Sequence, residues 1–481
     1  MRNVRLLMIS CGAALTAALA FTPTRAASVP SAVYAITGAR IHTVSGAPIP
    51  NGTVVVRNGV IEDVGPGITV PAGAMTIDAA GLNLYPGLID MANSTPLEAG
   101  DDAAAAAAGR GGGGGGRGGG TQFATLEEAE RAKRETILRP HYLAAENLRA
   151  GTPELQALAS AGVTTVLAVP AQGIFKGQSA LVNVVIPPDD PQISTLADYR
   201  RGLAVVKSPV ALHVNMAGRG GGQGFPNSLL GAVAFTKQGF LDAQWQRDAE
   251  AAYQKGGGRG PRPVFEPVLD SMRPALAKQM PVAFDASEGR EIDRALDTAA
   301  QFGLDPIIVG AASAGERRAE LAAAKARVIL SLNLPGPGGG GAPQGGGRGG
   351  GGGASQRQTQ FQQNAPKVPA ALAQANVPFA FTSGGAAPAV FVRNAGRVIK
   401  EGGLAADVVL RVLTLDAARL AGAADRTGSI ERGKIANIVV TEGDLFDGGR
   451  VRHVFIDGRP IDLTEPPAAP GGGRGGRGGG R

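Results

Sequence analysis

The sequence predicts an α/β protein: a (β/α)8 TIM-like barrel with a small β-sandwich domain built from both chain ends. Three observations carry this prediction. β-rich runs lie at the two extremes of a chain of 481 residues. Between them, short apolar runs alternate with helical segments, the pattern of a parallel sheet wrapped by helices. Counting those runs gives about eight parallel strands, the number a closed barrel of this class requires.

The elements follow in order. Arg2 and Arg5, the apolar stretch Leu6 to Ala20 and the small residues around Ala26 read as a secretory signal over residues 1–26, too short to span a membrane. The expected location is therefore exported, periplasmic or secreted, with no transmembrane anchor after cleavage. Residues 27–82 form the first part of the β domain: Val33 to Val44, Thr53 to Val56, an Asn58-Gly59 hairpin turn, Val60 to Val64 and Met75 to Ile77. Residues 83–422 are the barrel. Its first strand is the apolar run Leu82 to Ile89, its second Gly162 to Val169. Gly173 to Val185 reads as a hairpin insertion, and Val210 to Val214 as a further strand. Helices are expected over Leu229–Lys255 and Val264–Gln279. Strands at Pro281–Asp285, Pro306–Val309, Val328–Leu332 and Pro378–Thr382 then alternate with helices at Glu291–Phe302, Glu316–Ala324 and Pro369–Gln374, before closing helices at Ala387–Lys400 and Ala406–Ala421. Residues 423–464 return to the β domain through Ala436–Thr441 and Val451–Ile461, with Asp457-Gly458 as the turn.

Gly/Arg segments interrupt this pattern at 109–120, 218–224, 256–260 and 335–353, and residues 465–481 end in a similar tail. Such composition buries too little apolar surface to order itself and is expected to be disordered. With Arg262 beside them, these segments and the signal hold twelve arginines. Without those twelve arginines the formal net charge of +7 becomes −5, so the folded body is mildly acidic. That argues against a nucleic-acid partner for the body and leaves polyanion binding as a role for the segments alone. The single cysteine, Cys11, lies in the signal. The mature chain therefore forms no disulfide and no thiolate metal site.

Pro86-Gly87-Leu88-Ile89-Asp90-Met91-Ala92-Asn93-Ser94 ends the first barrel strand where barrels keep their chemistry. It resembles the P-G-L-I-D-x-H-x-H of the amidohydrolase superfamily, in the branch of imidazolonepropionases and prolidase-like enzymes. Gly428 to Val440, G-S-I-E-R-G-K-I-A-N-I-V-V, resembles the signature with which that family re-enters its β domain, and the resemblance extends over Val33 to Ile461. It implies hydrolysis of an amide or other C–N bond by water activated on zinc. It also implies metal ligands that this chain replaces. The first-strand histidine positions hold Ala92 and Ser94, or Met91 and Asn93 with a one-residue slip. Asp285 stands at the fifth-strand histidine, Gly310 at the sixth-strand ligand and Gly384 at the eighth-strand aspartate.

Four histidines occur in all. His42 and His453 belong to the terminal β segments, His141 reads as a surface or capping residue, and His213 as a strand histidine with its ring hydrogen-bonded in the interior. A zinc site with three protein ligands has only His141, His213 and a carboxylate such as Asp285 to draw on. No G-x-S-x-G elbow or G-x-x-x-x-G-K-[ST] loop is present. The expectation is a barrel without metal or other cofactor. Asn93, His213, Asp285 and Ser383 are its candidate pocket residues. It would bind a small molecule, associate with itself or partner an active homologue. The alternative is a hydrolase rebuilt on His213 and Asp285.

Overall fold

A computed structural model describes residues 33–97, 125–149, 153–184, 205–216, 226, 228–335, 363–461 and 463. The signal and the Gly/Arg segments 109–120 and 218–224, residues 336–353 and the tail lie outside them. Among the described residues no helix is long and apolar enough to cross a membrane.

Both chain ends meet in one sheet. Strands β1 (Val33–Ile41), β2 (Ile49–Arg57), β3 (Val60–Gly65), β4 (Met75–Asp78) and β5 (Asn83–Pro86) come from the N-terminal side. The sheet runs from the C-terminal strands through β5, β1 and β2 to β3, with β4 beside β1. Asn58 and Gly59 both take positive φ, as the two central residues of the tight β2–β3 turn require. The sheet curls until β3 meets the chain leading into the C-terminal strands: Ile61 N–H donates to the Lys434 carbonyl at 2.8 Å, and Ala436 N–H to the Gly59 carbonyl at 2.8 Å. Ile36, Ile41, Val54, Val56, Leu84, Ile438 and Phe455 fill its inside.

The barrel begins with β6 (Leu88–Asn93). Helices α1 (Leu126–Ile137) and α2 (Pro153–Ser160) follow, then β7 (Val163–Ala168), which pairs parallel to β6. Next come β8 (Phe175–Gln178), β9 (Ala180–Asn183), β10 (Val205–Lys207) and β11 (Leu212–Asn215). β9 pairs antiparallel to β7, β10 to β9, and β8 to β11. β8 and β9 are therefore one strand bent at Ser179, and β10 and β11 lie along it in the same way. The stretch expected to be a hairpin insertion is instead the third barrel strand, running opposite to its neighbours. Its reversal follows from the short link after β7, which leaves no room for a crossover helix.

From there the parallel pattern holds. Helices α3 (Leu229–Lys255), α4 (Pro267–Asp270) and α5 (Arg273–Leu276) lead to β12 (Val282–Ala286), α6 (Gly289–Phe302) and β13 (Pro306–Gly310). Then come α7 (Arg318–Ala323), β14 (Arg327–Ser331), α8 (Val368–Gln374), β15 (Phe379–Thr382), α9 (Pro388–Lys400), α10 (Ala406–Val412) and α11 (Leu415–Leu420). β11 through β15 pair in sequence, all parallel. β16 (Ile438–Glu442), β17 (Arg450–Ile456) and β18 (Arg459–Ile461) complete the β domain.

Period-two alternation sorts the barrel strands into two cores. Ile89, Met91, Leu167, Leu181, Ala283, Ile307, Ile329 and Ala380 form the inner cluster; Leu88, Val166, Leu212, Phe284, Ile308, Val328 and Phe381 face the helices.

Three further expectations are corrected. Val264–Gln279 is not one helix but α4 and α5, because Pro267 and Pro274 each sit at a helix start, where proline is tolerated, and interrupt anything longer. The closing helix is broken between α10 and α11, where Thr414 leaves helical geometry at φ −132° and ψ −88°. The Gly/Arg segment 256–260 is ordered: Gly256, Gly257 and Gly258 donate back to carbonyls of Ala252, Gln254 and Tyr253 and so cap α3. Helix α1 had no counterpart in the sequence reading. It is mostly charged and carries few apolar residues to mark a buried face.

Candidate functional site

Seven barrel strands are parallel, so their C-terminal ends share one face. Asn93, Asn215, Asp285, Gly310, Ser331 and Thr382 mark that mouth. β8 runs the other way and brings its first residues, Phe175 and Lys176, to the same end.

On one side of the mouth, β6 and β15 meet without a backbone ladder between them. Side chains make the seam. Asp90 is fully buried; one of its carboxylate oxygens accepts the Ser383 N–H at 2.9 Å and the other the Asn93 Nδ2–H at 2.9 Å. Thr382 Oγ1 donates to the Ala92 carbonyl at 2.8 Å. A bulge in β6 between Asp90 and Asn93 makes this reach possible. At the start of the same strand, a Cβ on Gly87 would come within 1.9 Å of Thr164 Oγ1, so only glycine fits.

Above the seam lies a cleft of about 300 Å³, walled by α2 and the start of α9. Asn93, Ser94, Thr95, Glu154 and Ser383 supply its polar lining, and Ala157, Leu158, Ala386 and Pro388 its apolar lining. Asn93 and Ser383, two of the four candidates from sequence, thus share one site.

The other two lie elsewhere on the mouth. Asp285 forms an ion pair with Lys176, Nζ to Oδ2 at 2.8 Å, with side chains 10% and 27% exposed for lysine and aspartate respectively. His213 pairs in register with Ala283 on one side and Gly177 on the other. It is fully buried, and neither ring nitrogen has a hydrogen-bond partner among the described residues. Burial and, less strongly, the Lys176 charge hold its pKa well below that of a free imidazole, so the ring is neutral. The expectation that its ring is hydrogen-bonded in the interior is corrected: it is interior but unpaired, because only Gly177 and Ala283 stand beside it in register. No hydrogen bond among the described residues links His213 or Asp285 to Asn93 or Ser383. His141 is exposed in a turn after α1, and His42 stacks on Tyr85 in the β domain at 4.4 Å between ring centroids.

A catalytic zinc does not fit these residues. No group of three or more His, Cys, Asp or Glu side chains comes together to hold an ion among the described residues. The carboxylate at the fifth-strand position is already matched by an ammonium, and His213 feels that same positive charge.

Two site residues escaped the sequence reading. Lys176 was legible only as one lysine within the buried run Ile174 to Val184, and nothing in sequence placed it against Asp285, 109 positions away. Asp90 was read as part of a motif; its role as the clamp between first and last strands depends on closure.

At the opposite end of the barrel a polar junction joins it to the β domain. Asn437 Nδ2 donates to Thr165 Oγ1 at 3.0 Å and to Asn183 Oδ1 at 2.8 Å, and Asn183 Nδ2 donates to Asp457 Oδ1 at 2.6 Å. Burial pushes the Asp457 carboxyl up to about 6, against the smaller opposing effects of the Asn183 hydrogen bond and the Arg426 charge.

Comparison with known proteins agrees with this architecture. Residues 361–461 match the model of the amidohydrolase family. A stretch of 38 residues, 8% of this chain, is 55% identical to the dihydroorotase of Geobacter sulfurreducens and spans 9% of that protein. The dihydroorotase of Trichlorobacter lovleyi matches to the same extent. Among solved structures, an amidohydrolase from Thermotoga maritima shares the fold with a TM-score of 0.67 at 21% identity, over 89% of this chain and 99% of that one. Molinate hydrolase does so with a TM-score of 0.50 at 17% identity, over 92% of this chain and 97% of its own. The fold is that of these amidohydrolases, and residues 361–461 carry the match to the amidohydrolase family.

Proposed function

We propose that this protein is an exported amidohydrolase-family barrel that has given up metal-dependent hydrolysis and acts as a binding protein, for a small molecule or for an active homologue. The observation that supports this most directly is the Lys176–Asp285 ion pair. An ammonium at 2.8 Å from the one carboxylate that stands at a family ligand position competes with any cation there. Displacing it would leave a lysine charge inside the barrel without its partner, which is costly. His213 alone offers a single neutral donor, short of the three protein ligands a catalytic zinc takes.

The test is metal content by inductively coupled plasma mass spectrometry, on mature protein purified without chelators. Metal far below one equivalent, unchanged by Lys176→Met, is the expected result. Near-stoichiometric zinc that is lost together with hydrolysis of a C–N bond in His213→Ala would overturn the proposal and make the protein a hydrolase with a rebuilt site.

A further inference from the structure

The two faces of α3 differ in what they meet. Inward, Ala232, Thr236, Gly239, Phe240, Ala243 and Gln246 pack on the barrel, and a Cβ on Gly239 would come within 2.7 Å of Phe175, so the helix is seated closely and its other face is fixed in direction. Outward, Ala234, Gln238, Leu241, Trp245, Asp248 and Ala252 are all exposed. Their spacings are four, three, four, three and four, the repeat with which one helix presents a straight seam to another. Trp245 is 63% exposed and Leu241 46%. Leu230, 80% exposed, continues the face toward the helix start, and exposed Val264 and Phe265 flank its C-terminal half beside Gln246 and Tyr253. A tryptophan so exposed, among further large apolar side chains, marks an interface.

The order of residues along the seam says what covers it. A two-fold axis level with Ala243 and perpendicular to α3 sets Leu241 against Trp245 of a second, antiparallel copy, Gln238 against its Asp248 and Ala234 against its Ala252. Each of the six positions thus meets another of the six. The large apolar pair falls at the centre, the polar pair outside it and the alanines beyond, which gives the apolar core and polar rim of a protein interface. Charges match as well. Lys237 has no ion pair or hydrogen bond among the described residues, and the same axis brings it level with the second copy's Asp248. Asp248 holds Arg247 of its own helix at 2.7 Å and keeps lone pairs for another donor. The two Asp242 side chains flank the axis at the edge of the face, each accepting from Gln238 of its own helix at 2.6 Å. A helix separation of about 8–10 Å leaves them about a screening length apart. Two helices of 27 residues, each about 40 Å long and about 12 Å wide, cover about 1,000 Å² in all, the threshold for a specific interface, before Val264 and Phe265 add to it.

We propose that α3 is the contact face of a homodimer, two copies packing antiparallel about an axis level with Ala243, with Leu241 and Trp245 packed on each other across its centre. The proposal is independent of what the barrel mouth holds. No residue of α3 lines the cleft there, so metal analysis of the mouth leaves it untouched.

The experiment is sedimentation velocity of the full mature chain over a wide concentration range at low ionic strength, read together with tryptophan emission. Trp245 is the only tryptophan in the sequence, so the emission reports this face alone. The expected result is a reversible monomer–dimer equilibrium, with emission moving to shorter wavelength as the dimer forms. Leu241→Glu raises the dissociation constant by about thirtyfold or more, as loss of a central contact does, and keeps the emission solvent-like at every concentration. Lys237→Glu raises it by about threefold. Lys237→Glu with Asp248→Lys in the same chain restores it, because the swap reverses both ends of each pair. None of the three positions is buried, so circular dichroism of the variants matches wild type. A monomer at every concentration, including one whose tryptophan is already shielded by its own chain, would overturn the proposal. So would a dimer indifferent to Leu241→Glu or to Lys237→Glu, or a charge swap that fails to restore what Lys237→Glu loses.

Discussion

Asp457 offers the most quantitative test of the polar junction below the barrel. Its carboxyl has an ordinary value of 3.8 and is pushed up to about 6 in the folded protein, first by burial. The folded state therefore holds this proton more tightly than the unfolded chain does. Between those two pH values the folded protein binds more protons, so stability falls as pH rises through the window and stays flat above it. This is opposite to the usual aspartate, whose folded carboxylate is favoured. At about 1.4 kcal/mol per pH unit the difference corresponds to about 3 kcal/mol, and the residue's partial exposure reduces this to about 2 kcal/mol.

Asp457→Asn removes the charge and keeps the acceptor for Asn183 Nδ2. It also suits the backbone, since φ is +50° here and asparagine tolerates that region. The variant loses the attraction of Arg426, the smallest of the three effects on this group. Denaturant unfolding followed by far-ultraviolet circular dichroism should show the variant more stable than wild type by about 2 kcal/mol at pH 8, with the gain vanishing near pH 4. Comparing the two proteins at each pH cancels the titration of every distant group. A gain equal at both pH values, or a loss at pH 8, would refute the account of Asp457 as a carboxylate held at a cost.

The remaining predictions concern the barrel. Lys176→Met strands Asp285 and should cost about 2 kcal/mol in denaturant unfolding, discounted from the cost of breaking a fully buried pair because both side chains touch solvent; Lys176→Met with Asp285→Leu should recover most of it, and a double-mutant cycle showing no coupling would contradict the pairing. Gly87→Ala drives a Cβ into Thr164 and should cost at least about 2 kcal/mol, read as a lower unfolding midpoint, while Gly67→Ala, with open space around it but positive φ, should cost less. Asp90→Asn should loosen the seam between β6 and β15, by about 1–3 kcal/mol, and faster amide exchange at Ser383 than at Ile308 would locate the loss there.

Much of this protein was legible in its sequence, because much of it is local. Periodicity and turn chemistry depend on neighbours a few positions apart. Leu229–Lys255 was readable as a helix, Asn58-Gly59 and Asp457-Gly458 as turns, and the parallel strands from Val282 onward as short buried runs between helices. That Ala92 and Ser94 (or, with a one-residue slip, Met91 and Asn93) and Asp285 stand where the resemblance expects histidines is likewise read from the sequence alone. What tertiary structure decided are relations between distant positions. The direction of β8–β9 depends on which edge it finds, β7 on one side and β11 on the other, and a run of buried residues carries no record of strand direction. That Lys176 meets Asp285, that Asp90 ties the first strand to the last, and that Asn183, Asn437 and Asp457 share one junction all require the chain to close over 109, 293 and up to 274 positions. Side-chain chemistry sets what each residue can offer; only the closed barrel sets which charge it faces.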